Sequence, residues 1–378
     1  MRGHAGTVFV TGGADVTAFS GSSYYLTESL RTVLASHKHV QPISMHTYRT
    51  LAWPTLRWGL RHRIDPRKYF FMVKQYQEAN FVENAIKPCA SDTFLSFPAI
   101  TPKRDKYLRG FKNVFLFIDL TLGQYLGYEQ FNDIPDRIRK DILAEESESY
   151  RDVDRIFVFS DTVAQQLSGH YSVDPRKIQV IGRGLNIPTH IVQEMRRLGS
   201  DVGRRQEEFP LRIGFVGVDF KRKGLLTLVE AVDSLPEEMR SKVELAVIGP
   251  DPDLLPKRPY LTAYGYMDKK RELERICRIM AECDLGYLYS KSEGIAGSVL
   301  EFLSLGVPCI VSDIPAMQLL SHLPGLISIP LSAGTGGIRD ICERSIARPE
   351  SVLAVRSGLA GLKFDGWMRQ ATAIAQWC

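Results

Sequence analysis

The residue types best suited to chemistry lie late in the chain, in Ser292–Asp313, SEGIAGSVLEFLSLGVPCIVSD. Glu293 and Glu301 stand eight positions apart, and Gly294, Ile295, Ala296, Gly297 and Ser298 directly follow the first. This pattern predicts a loop running into a helix that starts near Ser298 and carries Glu301 in its first turn. A small-residue loop feeding a helix N-terminus offers unpaired backbone N–H groups and the positive end of the dipole, which suits a diphosphate. Carboxylates beside it repel phosphate, and their presence makes sense if they address sugar hydroxyls, because an ionised carboxylate only accepts hydrogen bonds. A plain helix start also explains the pair, with Glu301 as dipole partner and Glu293 solvated. A second cluster, Gly217-Val-Asp-Phe-Lys-Arg-Lys-Gly224, sets Lys221, Arg222 and Lys223 between two glycines ahead of a helix. Such a loop fits a pyrophosphate leaving group, whose growing charge needs preorganised positive partners; the alternative is a solvated basic loop. The third candidate is Asp119, in Asp119-Leu120-Thr121 after the apolar run VFLFI. A carboxylate at the end of a strand can orient or deprotonate an acceptor hydroxyl, and it can equally cap a helix or turn.

The run E-G-I-A-G-S-V-L-E, a small-residue helix end, G-V-P, and a strand leading into S-D-I-P-A resemble the signature of retaining GT-B glycosyltransferases of family 4, glycosyl transferases group 1. The resemblance covers most of the chain and is strongest from about Val114 to Ala316. It implies an α/β chain of two Rossmann-like domains facing a central cleft. It also implies metal-free, cofactor-free transfer of a sugar from a nucleoside-diphosphate sugar to a hydroxyl of a glycan or lipid-linked saccharide, with retention of anomeric configuration. At the matching positions, Glu293 contacts the donor sugar and helps its departure, Glu301 binds the nucleotide ribose, and the amides around Ile295–Ser298 hold the diphosphate. Lys223 matches the lysine before the second glycine of the basic loop. Val218 stands where an arginine usually follows the first glycine, leaving Arg222 or Lys221 to supply that charge, and Gly294-Ile295-Ala296-Gly297 replaces the usual G-F-G. Tyr266 and Met267 fall in the loop over which the nucleobase sits, with a core role the alternative for each. Asp119 matches the D-A-T of a subset of the family, in place of the more usual histidine, and is the acceptor-side catalytic candidate. Gly21 and Ser22 match a glycine- and serine-containing loop near donor phosphate and acceptor. Gly182-Arg183-Gly184-Leu185-Asn186 resembles the stretch at the domain junction.

These residues need scaffolding, and the hydrophobic pattern supplies it. Short β-branched and aromatic runs alternate with helix-length amphipathic stretches, the signature of parallel α/β layers. Strands are expected at Thr7–Thr11, Val114–Asp119, Arg155–Ser160 and Lys177–Ile181, with helices near Ser22–Ala35 and Pro135–Tyr150. Asn186–Pro210, with two prolines, scattered small residues and charges, breaks the pattern, and residues 186–207 read as a linker. The alternation restarts with strands at Arg212–Val216, Glu244–Ile248, Leu285–Tyr289, Cys309–Val311 and Leu326–Ile329, and with helices near Lys223–Ser234, Lys269–Ala281, Ser298–Leu305 and Pro315–Ser321. We therefore expect an acceptor domain at 1–185, a nucleotide-sugar domain at 208–360, and a C-terminal helix within 361–378 crossing back.

At 378 residues, 44% apolar and 24% charged, the chain is long enough for two globular domains and too rich in aromatics for disorder. No window reaches the run of about 18 apolar residues that a membrane-spanning helix needs. Six scattered cysteines without a C-x-x-C pair point to a reducing cytosol and no metal site. The net charge of +5 is unevenly placed: residues 1–112 hold 16 Lys and Arg against 7 Asp and Glu. Leu51–Phe71, LAWPTLRWGLRHRIDPRKYFF, mixes tryptophans with arginines in the manner of a surface that settles on anionic headgroups. A peripheral association with the cytoplasmic face of a membrane is the expectation there, against a solvated face over an aromatic core; no nucleic-acid motif accompanies the charge. Two other functions suit the same fold, a sugar-nucleotide epimerase or hydrolase and a non-catalytic nucleotide-sugar-binding subunit. An NAD-dependent oxidoreductase is disfavoured because no G-x-G-x-x-G follows the first strand.

Overall fold

The computed structural model describes residues 6–14, 16, 21–43, 82, 86–97, 101, 103–127, 131–132, 134–202, 210–359 and 361–378. The chain divides into two compact units, Met1–Gly184 with Trp367–Cys378, and Leu185–Gly366. Each is built on a parallel sheet of six strands among the described residues, an α/β architecture.

In the first unit, strands β1 (Thr7–Thr11), β2 (His39–Ile43), β3 (Thr93–Ser96), β4 (Asn113–Ile118), β5 (Arg155–Val158) and β6 (Ile178–Val180) run in the order β2-β1-β3-β4-β5-β6. Helices α1 (Ser22–Leu34), α2 (Leu122–Tyr125), α3 (Asp136–Asp152) and α4 (Asp161–Gly169) connect them. Two of these strands went unread in the sequence. β2 contains Pro42, which lacks a backbone N–H for a ladder, and the sheet accommodates it because β2 is an edge strand. β3 has only four residues, all buried, too short for a visible period.

The second unit holds β7 (Leu211–Val216), β8 (Val243–Ile248), β9 (Leu261–Gly265), β10 (Leu285–Leu288), β11 (Cys309–Ser312) and β12 (Leu326–Ile329), in the order β12-β11-β10-β7-β8-β9. Its helices include α5 (Thr189–Val202), α6 (Leu225–Asp233), α7 (Lys269–Ala281), α8 (Gly297–Ser304) and α9 (Gly334–Ala347). The four inner strands β7, β8, β10 and β11 are largely buried on both faces, as the inner strands of parallel sheets are. Successive side chains alternate between two cores: Leu245 and Val247 join Leu228, Val232 and Ile338 on one side, while Ala246 and Ile248 join Ile276, Met280 and Phe302 on the other.

The stretch expected as a linker is largely helix. Ile191, Val192 and Met195 of α5 recur at helical spacing and are buried in the core beside α7, an apolar stripe masked in the sequence by the flanking prolines and charges. The chain re-enters the first unit after Gly366: Trp367, 2% exposed, packs against Phe117 and Phe159, and helix α10 (Met368–Ala375) lies on α1.

One packing detail fixes α8 against its sheet. Gly214 of β7 and Gly286 of β10 are register partners, and a Cβ on either would stand within 2.9 Å of the buried Phe302 ring. The paired glycines let the helix sit low over these strands. Gly286→Ala is expected to lower stability by about 1–3 kcal/mol through overpacking, read as a drop in the urea midpoint with an unchanged slope.

Candidate functional site

Strands β7 and β10 are neighbours in the second sheet, with β8 and β9 on one side and β11 and β12 on the other. The strand order reverses between them, and open α/β sheets bind ligands outside the carboxyl ends of their strands at such a point. The two richest motifs of the sequence occupy the loops that leave these two strands.

After β7 the chain turns through Gly217–Gly224 into α6. Gly224 has the left-handed φ of 77° at the N-cap, and a Cβ there would meet the Tyr289 carbonyl oxygen at 2.3 Å. Only glycine allows both that angle and that approach. Lys223 folds back over Gly217, where a Cβ would lie 2.8 Å from its Nζ. Its ammonium makes no hydrogen bond or ion pair among the described residues. Burial pushes its pKa down, opposed by the carboxylates of Glu293 and Glu301 and reinforced by the nearby Arg222 and Lys269. Arg222 is engaged instead: Nε donates to Asp219 Oδ2 at 2.9 Å, and Nη1 to Glu293 Oε1 at 2.8 Å, to Ser290 Oγ at 3.3 Å and to the Ser292 carbonyl. Burial alone would depress its pKa, but Glu293 and Asp219 hold it above the ordinary guanidinium value. Val218, at the position where the family resemblance expects arginine, is 63% exposed.

After β10, Ser290–Glu293 leads through Gly294, Ile295, Ala296, Gly297 and Ser298 into α8. Ala296 is buried and takes the N-cap position, the Gly297 amide donates to the Ile295 carbonyl, and the following amides at the helix start lack intrahelical acceptors. The Glu293 side chain is 11% exposed. Glu301 lies in the second turn of α8 and not in its first, because the helix begins at Gly297. It is therefore no dipole partner: its side chain is 5% exposed and pairs with Lys269 Nζ at 2.6 Å. Lys269 was overlooked in the sequence, where it reads as one more charge in the first turn of an amphipathic helix. Its role arises from a contact 32 residues away, which no local pattern signals.

The loop after β9 splits its two candidates. Met267 is 6% exposed and belongs to the core with Ile248, Ile276 and Met280, while Tyr266 is 63% exposed. The Met267 side chain is thus committed to the core, and Tyr266 is the one presented at the surface.

In the first unit, Asp119 follows the last residue of β4 and is partly exposed. It does not cap α2: that N-cap is Thr121, whose side chain accepts from the Gln124 amide in a capping box. Behind this turn lies Glu146 of α3, 0% exposed, unnoticed in a charged helix. Its carboxyl accepts from the Leu122 amide, from the Gly123 amide at 3.3 Å, and from the hydroxyls of Tyr150 and Tyr171. Burial raises its pKa against the pull of these donors. Gly21, with φ 88°, is the N-cap of α1, and Ser22, 3% exposed, accepts from Arg183 Nη2 at 3.3 Å. The basic-aromatic stretch 51–71 lies outside the described residues. Among the described residues no group of three or more His, Cys, Asp or Glu is placed to hold a metal ion, and no helix is long and apolar enough to cross a membrane. All six cysteines are free, and Cys277, Cys283, Cys309 and Cys342 are buried.

Residues 210–328, which span β7 to β12, match the glycosyl transferases group 1 family. An uncharacterized glycosyltransferase of Methanocaldococcus jannaschii is 27% identical over 171 residues, 43% of this chain and 42% of the relative, so the chain spans under half the length of that protein. Among solved structures, sucrose-phosphate synthase of Thermosynechococcus elongatus superposes with a TM-score of 0.63 at 14% identity, covering 98% of each chain. WaaG, a glycosyltransferase involved in lipopolysaccharide biosynthesis, gives 0.62 at 14% identity over 98% of this chain and 99% of that one. Anabaena Alr3699/HepE, in complex with UDP and glucose, gives 0.59 at 14% identity over 99% and 98%. The chain has the GT-B fold, and within its second unit residues 210–328 are similar to the glycosyl transferases group 1 family.

Proposed function

We propose that this GT-B chain is a retaining glycosyltransferase of family 4 that moves a sugar from a nucleoside-diphosphate sugar to a hydroxyl of a glycan or lipid-linked saccharide, without a metal or other cofactor. The observation that carries the reading is the convergence of unlike groups at one switch point: an ammonium unpaired among the described residues, helix-start amides without intrahelical acceptors, and two carboxylates already partnered by cations. A nucleoside-diphosphate sugar presents the complementary set, with anionic phosphates beside two groups of hydroxyls.

In this reading the bond from the anomeric carbon to the diphosphate oxygen breaks, and a bond from that carbon to the acceptor oxygen forms on the same face. Lys223 and the amides around Ile295–Ser298, apart from that of Gly297, which donates to the Ile295 carbonyl, take up the charge that develops on the departing diphosphate. Glu293 orients the sugar through its hydroxyls, and Glu301, fixed by Lys269, accepts from the ribose. Tyr266 offers a ring to the base. Asp119 receives the acceptor hydroxyl and its proton, with Gly21 and Ser22 at the phosphate-side loop of the same unit. The HepE complexes with UDP and UDP-glucose support a donor of this class, and WaaG supports a surface glycan as the kind of acceptor. A peripheral membrane location through residues 51–71 belongs to the same proposal.

The test is a thermal-shift panel of UDP-, GDP-, ADP- and dTDP-sugars, each present at about 100 times its dissociation constant. A true donor stabilises the fold by about 2.7 kcal/mol under that condition, and release of the matching nucleoside diphosphate with an acceptor extract confirms transfer. A panel in which none raises the melting temperature sinks the reading.

A further inference from the structure

The loops after β7 and β10 are stitched together in both directions, and Arg222 is the stitch. Its carbonyl accepts from the Lys291 amide at 3.3 Å and from Ser290 Oγ at 3.4 Å. Its guanidinium reaches back to Ser290 Oγ, the Ser292 carbonyl and Glu293 Oε1, while Asp219 holds its Nε. Ser290 is fully buried, and its carbonyl is tied in turn by Ser312 Oγ at 2.6 Å. The fork geometry of a guanidinium meets several acceptors at once in a way an ammonium does not.

We propose that Arg222 is a positioning residue for Glu293 and not a phosphate ligand: it fastens the turn after β10 to the turn after β7 and presents the Glu293 carboxylate with one oxygen taken and the other open. The inference rests on the assignment of Glu293 to the donor sugar. Arg222 is poorly placed to follow a diphosphate, since its Nε and Nη1 donate to protein acceptors and hold the guanidinium against Asp219 and Glu293, leaving only Nη2 without a partner among the described residues. The neighbouring Lys223, whose ammonium has no partner among the described residues, is a cation available for that task. Removing Arg222 lets the Glu293 loop drift and leaves a nearly buried carboxylate without its partner, whereas the helix amides and Lys223 stay in place. Arg222 therefore acts on turnover more than on nucleotide affinity.

The measurement compares wild type, Arg222→Gln and Arg222→Lys, using as probe whichever of UDP, GDP, ADP or dTDP most raises the wild-type melting temperature. The dissociation constant of that diphosphate should stay within about threefold of wild type, while kcat for transfer falls by about 100-fold, the scale of an ångström-sized misplacement. Arg222→Lys keeps the charge but not the fork, and it should lose nearly as much; it also carries the test if Arg222→Gln fails to fold. Diphosphate affinity weakened about tenfold or more with kcat retained would make Arg222 a phosphate ligand and overturn the inference alone. Retention of both quantities in the variants overturns it as well. A wild-type chain that binds none of the four diphosphates overturns the proposed function, and this inference with it.

Discussion

Replacing Glu293 by alanine should abolish sugar transfer, and replacing it by glutamine should lower kcat by about 1000-fold, the upper range for loss of one preorganised electrostatic group. The fold should survive both changes. Glu293 sits in a loop, and the Arg222 guanidinium that it leaves behind still has Asp219, Ser290 and the Ser292 carbonyl as acceptors. Glutamine keeps the shape but turns one acceptor oxygen into a donor, so a sugar hydroxyl that donated to it now meets another N–H. Nucleoside-diphosphate affinity should change little, because the phosphate partners are Lys223 and the helix amides. The informative comparison is therefore kcat against the dissociation constant of the diphosphate product, with the melting temperature as a control for folding. Turnover like wild type in Glu293→Ala would remove Glu293 from the mechanism.

Why these residues were legible in the sequence, and others not, follows from the range over which each pattern acts. Glu293, Glu301 and the small-residue loop lie within one loop-helix unit, so their spacing alone brings them to one end of α8. The basic loop is similarly local, bounded by Gly217 and Gly224. The strand order that makes these loops neighbours is not local, yet alternating strands and helices imply it through the right-handed crossovers of parallel sheets. What escaped notice depends on contacts between distant segments. Lys269 gains its meaning from Glu301 and Glu146 from the tyrosines and the α2 amides, while Arg222, legible as a cation of the basic loop, has its partners in a loop 68 to 71 residues downstream. In each case a charged residue that looks solvated in the sequence is drawn inward by a partner. Met267 errs in the other direction: beside the exposed Tyr266 it looks available to a ligand, but its unbranched apolar side chain is worth more in the core. The helix Thr189–Val202 is hidden because prolines and charges flank a short apolar stripe, of which Ile191, Val192 and Met195 are buried among the described side chains.

The second large effect belongs to Lys223, and it has opposite signs for function and stability. Lys223→Met should lower kcat/KM for the donor by about 100- to 1000-fold, since a developing diphosphate charge loses its unpaired cation. The same change should raise the melting temperature. The ammonium is held over Gly217 with no hydrogen-bonding partner among the described residues, a desolvation cost that a methionine side chain does not carry. The pH dependence carries the same sign. Burial pushes the folded-state pKa of Lys223 below its unfolded value, so between the two values the unfolded chain binds more protons and stability rises with pH. Donor affinity moves the other way, weakening as pH rises through the depressed pKa, at an alkalinity where an ordinary lysine remains charged. Bound diphosphate reverses the depression and draws a proton from solution, and calorimetry in two buffers of different ionisation enthalpy reads that uptake directly. Lys223→Arg keeps its charge across this range and should flatten the alkaline limb of donor binding. An alkaline limb unchanged in Lys223→Arg would assign the titration to another group and separate Lys223 from the leaving diphosphate.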